Sequence, residues 1–398
     1  PRAQRLRNVL TVSEVALALV LLIGAGLLMR TFHRLVNVDP GFDPERLLTF
    51  RMSVPFAGYK DTARRAELYR QVVERISAIP GVRSAGGGLT VPLAGSTVEL
   101  TFEVVDRPEA APGEELAARH SSVSAGFFRT MGIPLHKGRF FTEQDDRSGP
   151  GVAIINEAMA RRFWPNEDPL GQHLKHPIAF GEGEPESYEI VGIVGEVRHG
   201  SLEAAGQPCY YFSSLQQTWP SAVFVLRTGV DPLSLIPAVR SEIAAITKEE
   251  AVYGFKTMGQ FLAETTVSRR IPMLLLTVFA AVALALAAVG IYGTLSYSVA
   301  QRTREIGVRM ALGANSLDVF RLVLRQGLIL TAIGLGIGLI VSTASARLLS
   351  SLLYGVGAID PITFVGVPFV LVAVALVACL VPARRATKLT PMVALRNE

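Results

Sequence analysis

Hydrophobic and polar positions alternate between two regimes along this chain. Four stretches are apolar almost without interruption: Val9 to Met29, Ile271 to Val299, 327–346 and 364–383. The second, IPMLLLTVFAAVALALAAVGIYGTLSYSV, holds no Asp, Glu, Lys or Arg. At about 1.5 Å per residue it exceeds the roughly 30 Å of a hydrocarbon layer, so it reads as a membrane helix, and the other three read the same way. Between the first and second stretches the pattern turns mixed. LLTFRMSV (47–54) predicts a strand; Tyr69, Val72, Val73, Ile76 and Ile79 then recur at helical spacing, opposite Arg64, Arg65, Glu67, Arg70, Glu74 and Arg75. Asp61 can cap that helix, Pro80-Gly81 ends it, and VRSAGGGLTVPL returns as a strand. The same order recurs in AVFVLRTG, a helix striped by Leu233, Ile236, Val239, Ile243 and Ile246, and AVYGFKTM. Short β runs (VELTFEVV, LAARHSSV, GVAIIN, YEIVGIVGEV) and one helical piece, EAMARRFWP, fill the middle.

This pattern predicts a membrane α-helical protein of four transmembrane helices, with a large α+β extracytoplasmic domain inserted between helices 1 and 2. The expected layout is an N-terminal segment 1–8, helix 9–30, domain 31–270, helix 271–299, loop 300–326, helix 327–346, short loop 347–363, helix 364–383 and tail 384–398. Within the domain, 31–95 and 212–270 form one discontinuous lobe and 96–211 an inserted one. A basic start followed by Val15 to Met29 also fits a signal peptide, but no A-x-A site follows, and an uncleaved helix is preferred. The chain opens on Pro1 and is expected to be part of a longer polypeptide or a trimmed one.

Charge sets the orientation. Arg2, Arg5 and Arg7, the arginines of the 300–326 loop, and Arg384, Arg385, Lys388 and Arg396 all fall on one side, so the termini and that loop are expected to be cytoplasmic and the domain outside. The net charge of +5 over 398 residues therefore reads as topology, not as nucleic-acid binding. Only 18% of residues are charged, against about 25% in soluble domains. Two cysteines, Cys209 and Cys379, exclude a disulfide framework. Glu14, within two turns of the basic end of the first stretch, reads as interfacial rather than as a proton relay.

No catalytic constellation is visible. The sequence holds no GxxxxGK[ST], GxSxG or HExxH. His173 and His176 read as a surface loop, Gly86 to Gly88 do not open a helix as a phosphate cradle would, and Asp145 and Asp146 read as a turn. The informative stretch is QRTREIGVRMALGANSLDVFRLVLRQ. A helix over Gln301 to Leu312 stacks Arg302, Glu305 and Arg309 on one face beside Ile306 and Met310; Gly313 ends it, and Asn315 can cap the next helix. Two readings stand: a mechanical handle joining two spans, or a basic loop anchored on lipid headgroups. In the third span, Gly334 and Gly338 have GxxxG spacing and predict close helix packing, beside Gly336.

The motif REIGVRMALGA after VGIYGTLSYSVAQRT resembles the MacB-like and FtsX-like permeases of ABC transporters. Further matches run along nearly the whole chain: EVALALVLLIGAGLLMRTF, VDPGFDPERLLTF, FFRTMGIPLHKGRFFTEQD, VAIINEAMARRFWPNEDPLGQ, YGVGAIDPITF and PARRATKLTPMVALRNE. The chain looks most like the second half of a duplicated, ADOP-type permease. The resemblance implies a non-catalytic subunit of a bacterial inner membrane whose coupling helix docks on a separate cytoplasmic ATPase through Arg304, Glu305, Ile306, Gly307, Arg309, Met310 and Gly313. ATP would be bound by that partner and no cofactor by this chain. The resemblance further implies a second permease half, in the same polypeptide or as a homodimer, the lipid bilayer, and a periplasmic adaptor as partners. ATP-driven motion would serve efflux or extraction of substrate. The alternative is a transmembrane regulator of cell-wall hydrolases; a membrane-anchored enzyme ranks last for want of a site.

Overall fold

A computed structural model describes residues 2–54, 62–94, 98–105, 107–108, 115–176, 184–200, 202–203, 206–247, 251–303, 308, 315–348, 355, 357 and 359–387. The chain forms two compact units, Val38–Thr265 and the pair Pro1–Asn37 with Thr266–Glu398. It begins with helix α1 (Arg2–Val36).

The unit Val38–Thr265 runs β1 (Leu47–Ser53), α2 (Thr62–Ser77), β2 (Val82–Gly88), β3 (Val98–Val104), β4 (Leu116–Val123), α3 (Phe127–Met131) and β5 (Leu135–Gly138). It continues with β6 (Val152–Asn156), α4 (Glu157–Phe163), β7 (His173–Lys175), β8 (Tyr188–Val194), β9 (Cys209–Ser213), β10 (Ser221–Thr228), a 3₁₀ turn at Pro232–Leu235, α5 (Ile236–Ile246) and β11 (Ala251–Thr257). The two strand-helix-strand units predicted from the sequence interleave. Strand β10 pairs antiparallel with both β1 and β2, and β1 pairs antiparallel with both β10 and β11. The order β11-β1-β10-β2 is that of a split βαβ pair, a ferredoxin-like sheet. The apolar stripes of α2 (Leu68, Tyr69, Val72, Ile76) and α5 (Val239, Ile243) lie against Leu48, Phe50, Met52, Phe224 and Leu226. That burial is why both helices need an amphipathic period.

The residues between β2 and β10 make a second core. Their pairings close on themselves: β3 with β4, β4 parallel with β9, β9 with β6, β6 parallel with β8, β8 with β7, and β7 back to β3. Strand β5 adds to β8 beyond the short β7. Alternate side chains of the ring fill its inside, as the period of a strand requires: Phe102 and Val104, Ala153 and Ile155, Tyr188 and Ile190, Tyr210 and Phe212. Tyr188 stacks on Phe212 with ring centroids 3.8 Å apart. Asn156 fastens the ring where β6 ends. Its side-chain oxygen accepts from Met159 N–H, capping α4, and from Cys209 N–H at the start of β9, each at 2.9 Å.

One loop assignment changes. His173 opens β7 opposite Glu189, and the His176 ring lies 5.8 Å from that of the buried His120, because the ring folds this segment back onto β4. Gly86 to Gly88 belong to β2. A Cβ on Gly86 would lie 2.7 Å from Phe127 Cα, so this glycine admits the start of α3 against the sheet. Asp145 is buried and accepts two hydrogen bonds of 2.8 Å from Arg139 and one of 2.7 Å from Thr142 N–H, which locks the turn.

Among the described residues, the second unit consists of α1, α6 (Met258–Gln301), α7 (Ser316–Leu348) and α8 (Pro361–Thr387). Four spans among the described residues are long and apolar enough to cross a membrane: Gln4–Val36, Arg270–Gln301, Leu317–Arg347 and Pro361–Arg385. The helices outrun the apolar stretches at their ends, since a helix keeps its backbone hydrogen bonds while polar residues pass into the headgroup layer. Small residues recur every fourth position on α8, at Ala375, Cys379 and Ala383, and a Cβ on Gly327 of α7 would lie 2.5 Å from Cys379 Sγ. Between two helices in lipid, close backbone approach replaces the hydrophobic effect as the source of attraction.

Candidate functional site

Arg304, Glu305, Ile306, Gly307, Arg309, Met310 and Gly313, the predicted docking residues, lie outside the described residues. What the structure does describe are the spans that flank them. Helix α6 ends at Gln301 and α7 starts at Ser316, with Asp318 N–H donating to Asn315 carbonyl at 2.9 Å. Near this end polar groups join neighbouring helices. Ser298 Oγ donates to Gln326 Oε1 at 3.2 Å, joining α6 to α7. Thr11 on α1 and Thr294 on α6 share a hydrogen bond of 2.7 Å, and the Arg7 guanidinium lies 3.7 Å from the Tyr297 ring centroid. Arg385 on α8 donates to Tyr292 Oη on α6 at 3.2 Å. Such contacts tie α6 to α1, α7 and α8 near Gln301. Glu14 faces Gly290 of α6, a position where any side chain would strike its carboxylate.

Gly334 and Gly338 are both on the α7 face that meets α1. A Cβ on Gly334 would lie 2.7 Å from Val15 Cγ1 and 3.1 Å from Val12 carbonyl oxygen; one on Gly338 would lie 2.8 Å from Leu19 Cδ2 and 3.1 Å from Ala16 carbonyl oxygen. Gly336 has nothing within 4 Å. At the opposite end of the spans is a contact that the sequence pattern does not reveal. Asp360 caps α8, accepting from Thr363 N–H at 2.9 Å and Thr363 Oγ1 at 2.8 Å, and forms an ion pair with Arg30 of α1. Burial by itself would raise the Asp360 pKa, but the Thr363 hydrogen bonds and Arg30 outweigh it and hold the group below its ordinary value. The D-P-x-T spacing of Asp360 to Thr363 is the signal that could have found the cap, though not its arginine. Among the described residues no group of His, Cys, Asp or Glu is arranged to hold a metal ion.

Comparison with known proteins agrees with this architecture. The MacB-like periplasmic core domain family matches residues 9–246, and the FtsX-like permease C-terminal family matches 277–391. The chain belongs to the family of MacB-like periplasmic core domain proteins, with an FtsX-like permease C-terminal region. It is similar to the macrolide export ATP-binding/permease protein MacB of Azoarcus sp. strain BH72, at 26% identity over 366 residues, covering 88% of this chain and 51% of that protein. The uncharacterized ABC transporter permease YknZ of Bacillus subtilis strain 168 is 25% identical over 291 residues, 72% of this chain and 71% of that protein. The periplasmic region of MacB from Actinobacillus actinomycetemcomitans aligns with a TM-score of 0.36 at 14% identity, over 56% of this chain and 94% of that one. The chain spans about half the length of the MacB relative from Azoarcus and 41% of that from Marinobacter nauticus. It is a membrane protein with an extracytoplasmic domain between its first and second spans.

Proposed function

We propose that this chain is the permease subunit of a MacB/FtsX-like ABC transporter, coupling a separate cytoplasmic ATPase to movement of its extracytoplasmic domain for efflux or extraction of a substrate. The observation that supports this reading most is the arrangement of four apolar spans with one large domain between the first and second, matched by both families along the chain. In this reading ATP is hydrolysed by the partner and this chain performs no bond chemistry. Both termini and the 300–326 loop face the cytoplasm of a bacterial inner membrane. The segment holding Arg304, Glu305, Ile306, Gly307, Arg309, Met310 and Gly313 docks on the ATPase. Because α6 and α7 flank that segment and pack on α1 and α8, a push on it moves the spans together. A second permease half, in the same polypeptide or as a homodimer, and a periplasmic adaptor complete the assembly.

The test combines Arg309→Glu with Glu305→Ala in the tagged chain, solubilised from membranes that contain its ABC ATPase. The double variant should lose the ATPase while keeping the elution profile of the wild type. Undiminished recovery of the ATPase refutes the docking face.

A further inference from the structure

The extracytoplasmic unit contains a cleft of about 800 Å³, within the range of ligand sites. It lies between α2 on one side and the segments 143–148 and 214–219 on the other, with the ends of β2 and β4 at its base. Its walls are fastened: Tyr69 Oη donates to Trp219 carbonyl and Arg65 to Thr218 carbonyl, each at 3.2 Å, so α2 cannot swing away without breaking both. Apolar surface comes from Tyr69, Val73, Leu89, Leu215 and Trp219. Charge is unevenly distributed. Four carboxylates line the cleft, Glu67, Glu74, Glu143 and Asp146, against the two guanidiniums of Arg70 and Arg147.

Arg70 is already shared. Its guanidinium donates to Glu67 at 2.7 and 2.8 Å and reaches Glu74 at 3.5 Å, so it offsets one of two negative charges on that wall. The hydrogen bonds from Arg70 and then Gln71 push the Glu67 pKa down to about 2, so the group is ionised at any physiological pH. Glu143 stands exposed on the facing wall. An aromatic and aliphatic interior with surplus negative charge at its sides stabilises a cation with an apolar body, through ring faces and carboxylates together. It disfavours an anion of the same shape. We propose that this cleft is a binding site for organic cations carrying a bulky apolar group. The site adds a ligand class to the function proposed above, and its test needs no ATPase, so either can fail alone.

Tetraphenylphosphonium and tetraphenylborate have nearly the same shape and opposite charge, which isolates the electrostatic contribution. Trp164 and Trp219 are the two tryptophans of the chain, so the Trp164→Phe variant leaves Trp219, in the cleft wall, as the sole indole reporter. In nanodiscs, after subtraction of empty discs, tetraphenylphosphonium should change Trp219 emission saturably. Tetraphenylborate should bind about tenfold more weakly or worse. Glu143→Gln should weaken the cation about fivefold and leave the urea unfolding midpoint unchanged. Equal affinity for the two ions, tighter borate binding, no saturable response to the cation, or an unchanged affinity in Glu143→Gln would each overturn the assignment.

Discussion

His120 is expected to make the folded domain sensitive to mild acid. It stands on β4 inside the ring of strands, 1% exposed, with its ring centroid 5.1 Å from Tyr210, 5.3 Å from Phe212 and 5.8 Å from both His176 and Trp219. Burial, and then the charge that His176 would carry, push its pKa from 6.5 down to about 3. The folded pKa is below the unfolded one, so the unfolded chain takes up the proton first. The residue therefore costs nothing well above pH 6.5, and stability is lost as pH falls from 6.5 toward 3. Between about pH 7.5 and about pH 5 one such group removes about 2 kcal/mol. Both tryptophans lie in Val38–Thr265, so urea unfolding followed by indole emission reports on this unit in the intact chain. His120→Phe keeps an aromatic ring among aromatic neighbours and should remove about 2 kcal/mol of the pH-dependent loss. Comparing wild type with variant separates the effect from His199, which burial also pushes down, to about 4. Equal losses on acidification in the two proteins would refute the reasoning.

Two further outcomes are expected. Gly334→Val or Gly338→Val should drive Cβ atoms into Val15 and Leu19 and separate α1 from α7, costing about 1–3 kcal/mol and lowering the melting temperature in detergent, whereas Gly336→Ala, facing open space, should leave it unchanged. Removing one partner of the Arg30–Asp360 pair, by Arg30→Ala or Asp360→Asn, should cost about 1.5–3 kcal/mol, and a double-mutant cycle on thermal melting should show that the two changes are not additive.

The spans were legible because an uninterrupted apolar run of that length suits a lipid interior and little else, and α2 and α5 because their stripes repeat. Closure of the ring was not legible. It depends on β4 lying parallel to β9 across a separation of some ninety residues, and no local period encodes a partner at that distance. The short β5 and β7 carry mostly polar residues and too few positions to show a period. The half-buried setting of His176 was not legible, because a single histidine has no periodicity; its neighbours are brought to it from β4 and β9. Arg30 and Asp360 are 330 positions apart and meet only when α1 packs on α8. Gly334 and Gly338 were visible from spacing, but their partners Val15 and Leu19 were not.

The ring of strands leaves the ferredoxin-like sheet beyond Gly88 and rejoins it before Val223, and these two residues are cross-strand neighbours. The whole insertion thus hangs from a doorway one strand spacing wide. Among the described residues the ladder joining the two is the Gly88–Val123 bridge, backed where Ser124 Oγ accepts from Gly87 N–H and Arg227 donates to Thr130 carbonyl, so the insertion is held at its root and its far strands can change in length without re-registering the sheet beneath it.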